Sequence, residues 1–171
     1  MPARTANRDD MKVERVSDVE LVVTRSFDAS ARIVYELWTK PEHMKRWWAP
    51  KAFGAIMYEC DNDLRVGGKY RFVFGKEGEP KMAFVGTYKE VVPNERLVAT
   101  QLFEPMPHVG EAIITKTFAE RGGRTYLELR QRFPSKDVLD ATIATGMTEG
   151  MRLTLAQLDE LALAHSSDAA R

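Results

Sequence analysis

Ser135 to Ala164 reads SKDVLDATIATGMTEGMRLTLAQLDELALA, and its apolar residues keep a helical step. Leu139, Ile143, Met147, Met151, Leu155 and Leu158 recur every three or four residues, which lines one face of a long amphipathic helix. The closing stretch is rich in Leu and Ala, so the helix is expected to end near Ala164. Gly146 and Gly150 interrupt it, each at a cost of up to about 1 kcal/mol relative to alanine. That cost is tolerable where a missing side chain makes room for a neighbour or a ligand.

Upstream of this helix the period changes. Val19 to Phe27 (VELVVTRSF) is rich in β-branched residues and reads as a first strand. Asp28 and Ser30 are both candidate N-caps, and Ile33, Val34, Leu37 and Trp38 share one helical face. Pro41 is suited to open a second short helix, with Met44, Trp47 and Trp48 on its buried side and Pro50 at its end. Strand-like runs follow: Ile56 to Cys60, the alternating Tyr70, Phe72 and Phe74, then Met82 to Tyr88, Leu97 to Phe103, Ala112 to Phe118 and Thr125 to Phe133. Gly67-Gly68, Pro93-Asn94 and Gly122-Gly123 supply turns. These runs make about seven strands joined by short connections, an antiparallel meander. The long helix is the only element large enough to cover the meander's apolar face.

Lysine plus arginine equals aspartate plus glutamate, 25 each. A chain without net charge lacks the broad positive field of a nucleic-acid binder, and no nucleic-acid partner is expected. Cys60 stands alone, so no intramolecular disulfide forms, which suits a reducing compartment; the residue reads as a small buried hydrophobe. Met1 to Asp18 lacks the apolar run of a signal peptide, and no stretch is apolar for long enough to span a bilayer. A cytoplasmic protein without membrane insertion is expected. Residues 1–17 read as a flexible lead-in, 18–165 as one domain and 166–171 as a tail. A monomer or a homodimer is consistent with a domain of this size.

Four stretches carry a resemblance. Pro41-Glu42-His43-Met44-Lys45-Arg46-Trp47-Trp48-Ala49-Pro50, Asp63-Leu64-Arg65-Val66-Gly67-Gly68, and Gly86-Thr87-Tyr88-Lys89-Glu90-Val91-Val92-Pro93-Asn94-Glu95-Arg96-Leu97 occur in the order found in one family. Gly146-Met147-Thr148-Glu149-Gly150-Met151, with Leu155 and Leu158 behind it, completes the set. Together they resemble the family related to the C-terminal domain of the activator of the Hsp90 ATPase, part of the START and Bet v 1-like superfamily. The resemblance runs from about Leu21 to Leu161. It implies an α+β helix-grip fold, in which a curved antiparallel sheet wraps a long C-terminal helix and two short helices follow strand one. It also implies an internal cavity. The family often has tryptophan where this chain has Met151, so the cavity's shape is not carried over.

The residues that would line such a cavity are Phe72, Phe74, Phe84 and Tyr88 on alternate strand positions, with Met147 and Met151 facing them and Trp47 and Trp48 closing one end. Gln101 and Gln131 are candidate polar anchors, since Gln131 alternates with Leu127, Leu129 and Phe133 along an apolar face. Each of these side chains also reads as plain core, and for Trp47 packing is the better reading. Apolar pockets with a few polar anchors are the usual small-molecule sites. The expected function is therefore binding of a small hydrophobic or amphipathic molecule, without catalysis. An enzyme of cyclase or dehydratase type, in which Tyr88 or a carboxylate moves a proton, is an alternative. A co-chaperone-like module with an Hsp90-type partner is a third and lesser reading. No cofactor or metal is expected. His43, on the exposed face of a short helix, His108, in a Pro-rich loop, and His165, in the tail, form no catalytic or metal-ligand spacing. Asp61 and Asp63 read as a strand-to-hairpin turn.

Overall fold

The computed structural model of the chain describes residues 10–169, with side chains described through residue 167. Its strands are β1 (Lys12–Arg15), β2 (Glu20–Phe27), β3 (Ala55–Asn62), β4 (Lys69–Lys76), β5 (Met82–Val92), β6 (Arg96–Phe103), β7 (Ala112–Arg121) and β8 (Arg124–Arg132). Its helices are α1 (Ala31–Thr39), α2 (Pro41–Trp47), α3 (Lys136–Ala144) and α4 (Met147–Ala169). The strands form one sheet in the order β1-β2-β8-β7-β6-β5-β4-β3, antiparallel at every step. The meander from β3 to β8 follows from the short turns between its strands. The fold is α+β of the helix-grip kind, as expected.

The path from β2 to β3 sets the architecture. β2 pairs with β8, whereas β3 lies at the far edge. The chain crosses between them as α1 and α2, which pack on each other and on α4. Ser30 is the N-cap of α1, its hydroxyl accepting from the Ile33 amide at 3.3 Å. The Glu120 carboxylate accepts from the Ala31 amide at 2.7 Å, so the first turn of α1 is held by β7 as well. Pro41 takes the first position of α2. Bulges between Met57 and Glu59 and between Tyr88 and Glu90 add bends to the sheet.

The inner face of the sheet carries Val23, Phe27, Tyr70, Phe72, Tyr88, Leu97, Ala99, Phe118, Leu127 and Leu129, which join Leu155, Leu158, Leu161 and Ala162 of α4 in one cluster. A second cluster gathers Leu21, Ala112, Ile114, Phe133 and Leu139, with Met147 against it. Arg25 of β2 also points inward and meets Asp159 of α4 at 3.5 Å, both nearly enclosed. Its guanidinium lies 4.9 Å from the centre of the Phe27 ring.

The structure departs from expectation at several points. The lead-in expected over residues 1–17 contains β1, which pairs with β2 along its outer edge; residues 1–9 lie outside the described residues. This raises the strands from about seven to eight among the described residues. The single helix from Ser135 is two, because Gly146 adopts a left-handed φ of +82° and ends α3. Neither Gly146 nor Gly150 makes room for a close neighbour, since nothing lies within 4 Å of where a Cβ would stand. The last helix runs beyond Ala164 to Ala169, over much of the expected tail.

Gly86 shows a different need for a glycine. A Cβ there would lie 1.9 Å from the Thr100 carbonyl oxygen and 2.5 Å from the Tyr70 ring. Tyr70 uses that space to lie over β5, with its hydroxyl donating to the same Thr100 oxygen at 2.6 Å. Gly86→Ala is expected to cost about 1–3 kcal/mol by overpacking. The result would be a melting temperature lower by several degrees in thermal unfolding followed by circular dichroism.

Candidate functional site

The inner face of the sheet is apolar by pattern but not throughout. On β7, Ala112, Ile114 and Phe118 are buried in the two clusters, and Lys116 occupies the fourth place in that register. Its neighbours across the strands are Leu97 and Leu129. The amine lies 5.0 Å from the centre of the Trp38 ring, close enough for a cation–π attraction. No carboxylate stands at ion-pair distance among the described residues. Burial alone pushes the amine down to about 8. Lys116 is enclosed by protein and still keeps intermediate accessibility.

Other inward polar groups share this lack of partners. Gln131, opposite Ile114 on β8, is buried, and Gln101, opposite Ala112 on β6, is half-buried. Neither makes a side-chain hydrogen bond among the described residues. Gln131 and Lys116 are diagonal neighbours across the β7–β8 pair, within reach for long side chains. On α1, the Tyr35 hydroxyl and the Trp38 indole N–H are buried and unpartnered. Buried polar groups ordinarily find partners, which sets these apart on an otherwise apolar face.

The aromatic part lies on β4 and β5. Trp48, just after α2, sets its ring edge-on to Phe72, Phe74 and Phe84 at 5.8, 5.1 and 6.1 Å between centroids. Phe74 and Phe84 stack at 5.4 Å. Trp48, Phe74, Phe84 and Met151 are all half-buried, as the rim of an opening would be. The Gln157 amide of α4 clamps Trp48 in place. Its Nε2 donates to the Trp47 carbonyl at 2.7 Å and the Ala49 carbonyl at 2.9 Å, and its Oε1 accepts from the Lys51 amide at 2.9 Å. Backbone groups on both sides of Trp48 are thus tied to α4.

The expected lining residues separate into groups. Trp48, Phe72, Phe74 and Phe84 come together, and Met151 packs against the same large cluster as Trp48, Phe72 and Phe84. Trp47 does not join them: it is fully buried, donates from Nε1 to the Leu37 carbonyl at 2.8 Å and packs on Trp38 at 4.7 Å. Met147 packs in the second cluster, apart from Met151. The Tyr88 hydroxyl has a protein partner, donating to Asn62 Oδ1, while Asn62 Nδ2 donates to the Thr39 carbonyl at 2.7 Å. Burial raises the Tyr88 phenol, so it holds its proton at neutral pH. Burial likewise pushes the Cys60 thiol up to about 11. His43 is half-buried rather than exposed, because the last helix continues far enough to bring His165 to 5.0 Å from it. Burial and then the neighbouring His165 hold the His43 imidazole below its usual value. Asp63 is engaged by Arg65 at 2.9 Å, and no cluster of three metal-ligating side chains occurs among the described residues. No helix among the described residues is long and apolar enough to cross a membrane.

Lys116, Tyr35 and Trp38 are the site residues that the sequence reading passed over. The signal for Lys116 was present: a lysine at the inward register of a strand whose other inward residues are Ala112, Ile114 and Phe118.

A curved antiparallel sheet gripping one long C-terminal helix defines a helix-grip protein. The chain belongs to the family described as Activator of Hsp90 ATPase homolog 1-like protein, whose profile matches residues 28–162. Solved structures of similar fold include a Rhodobacter sphaeroides protein at 22% identity, covering 91% of this chain and 99% of that one, with a TM-score of 0.84. A Nitrosomonas europaea protein is similar at 24% identity, 88% and 98% coverage and a TM-score of 0.78. A Chromobacterium violaceum protein is similar at 28% identity, 85% and 98% coverage and a TM-score of 0.74. No curated protein matches the chain.

The Lys116 amine generates a stability prediction. In the unfolded chain a lysine titrates near 10.4, above its folded value of about 8. Below pH 8 the folded protein holds a buried charge, and this penalty is relieved as pH rises from 8 toward 10.5. Lys116→Met should therefore stabilise the fold by up to about 3 kcal/mol near pH 7, with the gain shrinking toward pH 10.5. Denaturant unfolding of both proteins across that range checks it.

Proposed function

We propose that this protein binds a small amphipathic molecule between the inner face of the sheet and α4, without catalysing a reaction. The observation that carries this reading is the set of inward polar groups without protein partners, Lys116, Gln131, Gln101, Tyr35 and Trp38, beside the half-buried aromatic rim. An apolar body would lie against Trp48, Phe72, Phe84 and Met151, and its polar atoms would satisfy the unpartnered groups. Proton-transfer chemistry at Tyr88 draws less support, because its raised phenol already donates to Asn62. An Hsp90-type partner draws none from the site, whose distinctive groups point inward.

The test is native mass spectrometry of freshly purified protein, followed by analysis of any molecule released on denaturation. A retained amphiphile is the expected result. A protein that arrives empty and takes up none of a panel of hydrophobic dyes would overturn the reading. Met151 supplies a mutational check, since it stands at the rim and is smaller and more pliable than tryptophan. Met151→Trp is expected to weaken dye binding about tenfold, or 1.4 kcal/mol, with an unchanged circular dichroism spectrum.

A further inference from the structure

We infer that the occupant of this site is a monocarboxylate with an apolar body, its carboxylate received by Lys116 Nζ beneath α1. The inference rests on the proposed binding reading and names the ligand class. Three groups are connected there through the rings of Trp38 and Phe118. Lys116 lies under the Trp38 ring, with 5.0 Å from amine to ring centre. Trp38 and Tyr35 are one helical turn apart on α1 and both pack on Phe118, at 6.3 and 5.6 Å between ring centroids. Phe118 is two residues along β7 from Lys116, on the same face.

Two of the three are donors only. An ammonium and an indole N–H offer no acceptor, while a phenol both donates and accepts. The Trp38 N–H and the Tyr35 hydroxyl are buried without partners, and Lys116 has no carboxylate beside it. The protein therefore presents donors and a positive charge with nothing to receive them. An ionised carboxylate is acceptor-only and accepts several donors at once. A cationic headgroup would be repelled by the amine, and a neutral alcohol would leave the charge uncompensated. A dianion such as a phosphate monoester would bring a second charge for which no cation stands nearby, a costly burial. The apolar body is required by the surroundings, since Leu97, Leu129, Ile114 and Phe118 enclose the amine.

The experiment is displacement of the neutral fluorescent probe N-phenyl-1-naphthylamine from the full chain. The competitors are decanoate and 4-phenylbutyrate, each against the alcohol of the same body, decan-1-ol and 4-phenylbutan-1-ol. At least one acid should displace the probe at a concentration about tenfold or more below its alcohol, as a charge-assisted hydrogen bond requires. Lys116→Met should lose the preference for the acid over the alcohol of the same body, each alcohol serving as the reference within its own protein, and Lys116→Arg should keep part of it. Equal displacement by acid and alcohol, or a preference that survives Lys116→Met, would overturn the carboxylate assignment and leave the binding reading standing. A parent protein that binds neither the probe nor any competitor would overturn both.

Discussion

The structure depends on one helix covering the inner face of a curved eight-stranded sheet. Burial of apolar area is what drives this packing, and α4 is unequal along its length in the means to supply it. Its middle turns carry Leu155, Leu158, Leu161 and Ala162, all buried against the sheet and α1. Its first turns carry Met147, Gly150 and Met151, which are only partly buried. The middle of the grip is therefore filled by leucines, while the start of α4 brings only partly buried residues. The Arg25–Asp159 pair and the Gln157 clamp fix the helix from two sides.

Much of this was legible in the chain. The period-two runs and turn signals located the meander, and the change of period at Ser135 located the covering helix. The motif around Gly86 has a physical reason in Tyr70, which lies where a Cβ would stand. What escaped was tertiary. β1 is four residues long and exposed along its whole length, so no burial pattern marks it. Gly146 could as well have remained inside one helix, and its left-handed φ is read only from the structure.

The site was legible in part. Alternation placed Phe72, Phe74, Phe84, Gln101 and Gln131 on the inner face. It could not decide between adjacent tryptophans, one of which the fold buries while the other stands at the rim. Nor did it show that Asn62 would occupy the Tyr88 hydroxyl. Lys116 was passed over because a single lysine in a strand reads as surface. Its alternation with Ala112, Ile114 and Phe118 marked it as inward, and the register sets Leu97 and Leu129 beside it.

The outermost strand has a role apart from the grip. β2 reads ELVVTRSF and is buried along most of its length, and β1 covers its outer edge with Lys12, Glu14 and Arg15. Both strands lie ahead of the segment that defines the family, residues 28–162. A chain shortened to begin at residue 18 would keep the family segment and bare the ladder of β2. An uncovered apolar edge is a template for another copy of itself. The short charged strand thus closes that edge of the sheet with side chains that discourage such pairing.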